Sequence, residues 1–251
     1  MDQLSIELIL ILFFIAGLAG FVDAVAGGGG LLTLPLLLWI GLSPAQALAT
    51  NKLQGSFGTF SATYRFMRGR MVNLSGLVPE ILLTFSGSVA GTLTVQHIRI
   101  GILTDVIPWL LIGAALYTLF SPRMDDSRAK QRLSRRWFAV LIGFGVGFYD
   151  GFFGPGTGSF FTIAFVGLLG LGLNQATAHA KVLNFTSNFA ALIFFAIGGH
   201  IVWATGLVMA AGQILGATIG AHTVIRQGSR IIRPLLFIVS LAMAIKLLTT
   251  G

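Results

Sequence analysis

The sequence predicts an all-α, polytopic integral membrane protein. It is built from two inverted repeats of about four transmembrane helices, each holding a glycine-broken re-entrant hairpin. Three observations predict this. The 251-residue chain is 55% hydrophobic and only 10% charged, with mean hydropathy +0.88, whereas an ordinary soluble domain carries about 25% charged residues. Apolar stretches long enough to cross a bilayer recur along its whole length. A stretch with four successive glycines, Gly27 to Gly30, returns half a chain later as Gly154-Pro155-Gly156-Thr157-Gly158-Ser159.

The repeat has a definite register. Asp23 and Gly27 match Asp150 and Gly154 at a shift of 127, while Thr33, Gln46, Ala49 and Lys52 match Thr162, Gln175, Ala178 and Lys181 at 129. Two residues are therefore inserted in the second glycine loop. The later register holds, with Gly69 matching Gly198 and the pair Gly87/Gly91 matching Gly216/Gly220. A repeat of this length describes the whole fold.

The predicted helices are Leu4–Ala26, Ala45–Met67, Asn73–Gln96 and Ile100–Phe120, then Arg135–Phe153, Asn174–Gly198, Val202–Ile225 and Ile231–Thr249. The opening residues lack the basic segment of a cleaved signal peptide, so they begin the first helix. Two shorter arms, Leu31–Gly41 and Ser159–Leu171, follow the glycine loops. At about 1.5 Å per residue the first arm covers roughly 17 Å, too little for a ~30 Å hydrocarbon core. Each arm thus reads as the return leg of a re-entrant hairpin, which membranes tolerate only where protein or water covers the broken backbone.

Lys and Arg set the expected orientation. Arg65, Arg68 and Arg70 occupy one loop, Arg123 to Arg136 the next, and Arg226, Arg230 and Arg233 a third. The positive-inside rule places all three in the cytoplasm and both termini in the periplasm of a bacterial inner membrane. Equivalent helices of the two halves then run in opposite directions, as in many secondary transporters. The units are residues 1–121, a polar cytoplasmic linker 122–134, and residues 135–251. The formal charge of +8 belongs to these loops, so no nucleic acid partner is expected.

The candidate chemistry gathers at the loops. Unwound glycines followed by a helix N-terminus offer backbone N–H groups and a positive dipole end to an anion. Lys52 and Lys181 lie at matching positions about two turns into their helices, where an ammonium is costly unless it pairs or faces a wet cavity. Asn51, Gln54, Asn184, Ser187 and Asn188 add neutral hydrogen-bonding groups on the same helices. Asp23 and Asp150 either counter the lysines or carry a coupling proton. His179, with Thr50 as its counterpart, is a second coupling candidate. Gly87/Gly91 and Gly216/Gly220 read as close-packing sites. Glu80, Asp105, His200, His222 and Lys246 lie near span ends and read as interface residues.

No enzyme motif is present: there is no Gly-x-Ser-x-Gly elbow, no His-Glu-x-x-His pair and no P-loop lysine. With no Cys and no clustered His, neither a metal nor another cofactor is expected.

The stretches at 23–35, 47–54 and 147–160, with Ala-Thr-Ala-His-Ala-Lys-Val-Leu-Asn at 176–184 and Trp-Ala-Thr-Gly at 203–206, resemble the TauE/SafE sulfite-exporter family, nearest its YfcA-like branch. The resemblance covers nearly the whole chain. It implies a bacterial inner-membrane transporter of sulfur-containing anions such as sulfite or organosulfonates. The family's motif falls on Gly27 to Gly30, Asn51, Lys52, Gly154 to Gly158, Lys181 and Asn184. The expected function is a secondary transporter, an exporter of small anions, working by alternating access around a midplane site at the two hairpin tips. The partners are a small anionic substrate and the lipid bilayer, with a homodimer left open. An anion channel and a non-transporting membrane scaffold are the alternatives.

Overall fold

A computed structural model describes residues 5–119 and 130–227, and within them the chain is helical with no strand. Helix α1 (Ile6–Ala26) starts at a Ser5 cap and stops at Gly27, whose φ of +81° makes a left-handed C-cap. Helix α2 (Gly30–Trp39) is the first arm. Helix α3 (Pro44–Arg68) opens on a capping box in which Ser43 and Gln46 satisfy each other's backbone N–H, with Pro44 at the first position. A 3₁₀ turn, Leu74–Leu77, leads into α4 (Val78–Gln96), and α5 (Ile100–Leu119) follows.

The second half begins with α6 (Arg135–Phe138), a π-helical segment (Ala139–Phe144) and α7 (Gly145–Phe152), one spanning element with a widened stretch inside it. Helix α8 (Thr157–Leu169) is the second arm, followed by α9 (Leu173–Ile197) and α10 (Trp203–Gln227). The expected last helix, Ile231–Thr249, and most of the 122–134 linker lie outside the described residues.

Four helical stretches are long and apolar enough to cross a bilayer among the described residues: Ile6–Ala26, Leu74–Gln96, Leu173–Ile197 and Trp203–Gln227. Helix α3 is as long as α9 but less apolar, because it buries Thr50, Asn51, Lys52, Gln54, Ser56 and Thr59 inside the protein. Phe14, Trp39, Leu82, Trp109, Leu215 and Ile219 are exposed, the pattern of a surface solvated by lipid rather than water.

The register read from sequence reappears in the helices. A shift of 129 carries α3 onto α9 from first residue to last, and carries Leu74–Gln96 into α10. The packing repeats too. Helix α1 packs on α10 as α7 packs on α4, α3 on α10 as α9 on α4, and α2 on α3 as α8 on α9. Helix α1 thus lies against α10 of the other half, and α7 against α4, the repeat equivalent of α10. Along α3 and α9, Gly55 is beside Asn188, the Phe60 ring meets that of Phe185, and Thr63 bonds the carbonyl of Lys181 at 3.0 Å. These two equivalent helices therefore run antiparallel.

Small residues set the closest crossings, as expected where no hydrophobic gradient drives helices together in lipid. A Cβ on Gly212 or Gly216 would strike the α1 backbone at Phe13 and Gly17, and one on Gly87 or Gly91 would strike the π-helical segment at Phe144 or α7 at Phe148. Gly113, by contrast, has open space around it. Replacing Gly216 with Leu should therefore abolish the monodisperse folded species in detergent. Gly113→Ala should leave thermal stability unchanged or raise it by up to about 1 kcal/mol. Size-exclusion chromatography and thermal unfolding of both variants check this.

Candidate functional site

The two glycine loops meet in the interior. Gly27 lies directly against Gly158 and Ser159, with no room for a Cβ, and the Ser159 hydroxyl donates to the Ala26 carbonyl at 2.6 Å. Gly29 is pressed against Ala19 and the Asp23 side chain, and Gly30 faces Pro155. Close approach therefore accounts for three of the four glycines. Only Gly27 among them takes a positive φ, and Gly30 is already helical. In the second loop Gly154 and Gly156 adopt φ of +104° and +87°, and Tyr149 donates to the Pro155 carbonyl at 2.7 Å.

Beside this junction lie two ion pairs, and each crosses between the repeats. Lys52 Nζ of α3 is 2.8 Å from Asp150 Oδ1 of α7, and Lys181 Nζ of α9 is 2.9 Å from Asp23 Oδ2 of α1. The residues of one pair are the repeat equivalents of the other. Both lysines are about four residues, or roughly 6 Å, from the middle of their helices. A charge at such depth needs a partner, and each half of the protein supplies the partner the other half requires.

The surroundings of the pairs differ. The Asp150 Oδ1 atom also accepts from the Thr157 hydroxyl at 2.8 Å, while Asp23 Oδ1 accepts from the Gly29 N–H at 3.4 Å. In the first repeat Thr33 donates to Asn51 Oδ1 at 2.6 Å, and Gln54 Nε2 donates to Thr33 Oγ1 and Asn51 Oδ1 at 3.0 and 2.7 Å. The second repeat has Ala180 and Leu183 at the positions equivalent to Asn51 and Gln54. There Asn188 donates to the carbonyl and side chain of Asn184 instead.

A small, partly enclosed pocket opens on this polar wall. Of the candidate substrate residues Gly27, Gly29, Gly30, Asn51, Lys52, Gln54, Gly154, Gly156, Thr157, Gly158 and Asn184 line it, and so do the coupling candidates Asp23 and Asp150. Five other expected residues lie off the wall. Lys181 is behind it, paired with Asp23; Gly28, Pro155 and Ser159 are in the loops; Ser187 turns to α4, its carbonyl accepting from Ser88 at 2.6 Å. His179 is also remote, held by the Gln175 carbonyl at 2.7 Å and edge-on to Phe165.

Gly55, Thr59 and Gln213 are on the wall but escaped the sequence reading. Gln213 had a usable signal, a lone amide in the middle of an apolar helix at the position equivalent to Thr84. Glu80, expected at the interface, is only 1% exposed. It is buried under the π-helical segment, where Gly143 passes the Glu80 backbone, and its carboxylate is 4.0 Å from half-exposed Arg135. No group of three potential metal-ligating side chains occurs among the described residues.

The model of the sulfite exporter TauE/SafE family matches residues 12–247. The chain belongs to that family. It is 50% identical over 238 residues to the probable membrane transporter protein YfcA of Escherichia coli, covering 95% of this chain and 88% of the relative. It is 48% identical to a probable membrane transporter protein of Haemophilus influenzae over 98% of this chain and 96% of the relative. A probable membrane transporter protein of Sinorhizobium, ORF9, is 45% identical over 99% and 95%. These relatives are bacterial and named as transporters, and with the apolar helices they make this family member a bacterial membrane protein.

The paired geometry has an energetic consequence. Removing one partner of a buried pair leaves the other charge uncompensated, at a cost of about 3–5 kcal/mol, whereas replacing both by apolar groups is often neutral. Lys181→Met should accordingly destabilise the protein by about 3 kcal/mol, the low end because Asp23 is partly exposed. Adding Asp23→Leu should recover most of the loss. Denaturant unfolding of the two single variants and the double variant in detergent measures this.

Proposed function

We propose that this TauE/SafE family member is a secondary transporter of small anions, sulfite or organosulfonates, that works by alternating access at the cavity between the two glycine loops. The observation that carries the reading is the cavity wall itself. A buried ammonium, Lys52, faces it beside the first turns of α2 and α8, where helix dipoles favour negative charge. The family's name, sulfite exporter, fits the same substrate class, and its relatives are named probable membrane transporters.

The antiparallel course of α3 and α9 and the reciprocal packing of α1 on α10 and of α7 on α4 support two inverted repeats. Only Lys52 of the two lysines faces the cavity. Exchanging the conformations of the repeats would close the wall around Lys52 and open it around Lys181, giving access from the other side. Substrate thus meets one lysine in each state, with the opposite pair closed.

Reconstituted protein should show counterflow: labelled sulfite entering vesicles faster when unlabelled sulfite is inside. A carrier gives this trans-stimulation and an anion channel does not; its absence counts against the reading. Topology has its own test, because the chain lacks Cys and Arg68 and Ile197 are repeat equivalents. A single Cys replacing Arg68 should react with an impermeant maleimide only from the cytoplasmic side, and one replacing Ile197 only from the periplasmic side. Labelling of both from one side would exclude inversion.

A further inference from the structure

We propose that the ligand of this cavity is a monoanion carrying its own hydrogen-bond donor, an O–H or N–H group, which it delivers to Asp150 while its anionic oxygens take Lys52. This rests on the small-anion reading and narrows it. The ground is a difference between two ion pairs that the repeat would make alike. Lys181 directs a hydrogen bond at Asp23 Oδ2 over 2.9 Å and lies off the cavity wall. Lys52 is as close to Asp150, at 2.8 Å, but it lies on the cavity wall, and among the described residues its ammonium has no other protein acceptor. Asp150 Oδ1 can take one of the three ammonium protons, which leaves the others to the cavity.

The free valences of this pair face the cavity. Asp150 Oδ1 is occupied by the Thr157 hydroxyl, while Asp150 Oδ2 is buried and receives no donor. Both Lys52 and Asp150 are 1% exposed, so bulk water does not satisfy them. Gln54 Oε1 is another buried acceptor without a partner on the same wall, its Nε2 being committed to Thr33 and Asn51. Unmet buried hydrogen-bonding groups are costly, and more so when charged. The wall therefore asks for acceptors at Lys52 and for a donor at Asp150.

An ion with acceptors only, such as sulfate or the sulfite dianion, meets half of that demand and sets two negative charges against a carboxylate. Hydrogen sulfite, or a sulfonate bearing a hydroxyl or amino group, meets both halves. A donor-bearing ligand also gains discrimination, because an analogue lacking the group leaves the buried acceptor empty.

Isothermal titration of the full-length protein in detergent with 2-hydroxyethanesulfonate and ethanesulfonate tests this, the two having equal charge and differing by one hydroxyl. The hydroxylated ion should bind at least about tenfold more tightly, and sulfate should bind more weakly than either. In Asp150→Asn the tenfold preference should vanish. Equal affinities in the unmodified protein overturn this inference and leave the small-anion reading standing. A preference that persists in Asp150→Asn overturns the role of Asp150. Binding of neither sulfonate, nor of sulfite, overturns both readings. The comparison on the unmodified protein decides the matter even where Asp150→Asn does not fold.

Discussion

The structure depends on burying two ammonium groups in the protein interior. An isolated charge there is costly, and the cost falls only when a carboxylate is brought within contact. Asp23 and Asp150 do this across the repeat boundary, at 2.9 and 2.8 Å. Each lysine takes its contact partner from the other half. The glycine loops follow from the same constraint. The aspartates precede the loops on α1 and α7, and the loops must pass backbone against backbone for each carboxylate to reach the opposite lysine. Any side chain at Gly27 would keep Gly158 away.

A charge-neutral pair beside the cavity also fits the proposed transport site. A permanently unpaired lysine would hold an anion too firmly, and a fully satisfied one would not attract it. The pair at Lys52 lies between these limits, its charge cancelled by Asp150 while its ammonium still lines the cavity. The Thr33–Asn51–Gln54 network, present in one repeat only, stiffens the wall on that side.

Much of this was legible in the residues. The repeat register and the positions of the described helices, to within about two residues, follow from spacing, because a duplicated pattern fixes equivalent positions without any knowledge of contacts. Which aspartate serves which lysine was not legible. Spacing leaves Asp23 as near to Lys52 as to Lys181, and the choice is made by the way the halves interleave. The π-helical stretch at Ala139–Phe144 and the burial of Glu80 beneath it left no trace either, since an apolar run reads the same whether its turns are regular or widened. The glycine run was read as unwound backbone for a ligand. Three of its four residues turn out to serve close approach, a tertiary requirement that composition states only as smallness.

The packing of α1 on α10 bears on how the chain is made. Helix α1 leaves the ribosome well before α10, yet the surface that receives Gly17 and Gly20 belongs to α10, some two hundred residues later. Until α10 is inserted, that groove in α1 has only lipid, or a provisional neighbour, to fill it. Assembly is therefore governed by a long-range closure rather than by successive local hairpins. Chains interrupted after the first half would present two unmatched grooves and a lone buried lysine, which are features a membrane quality-control protease can recognise.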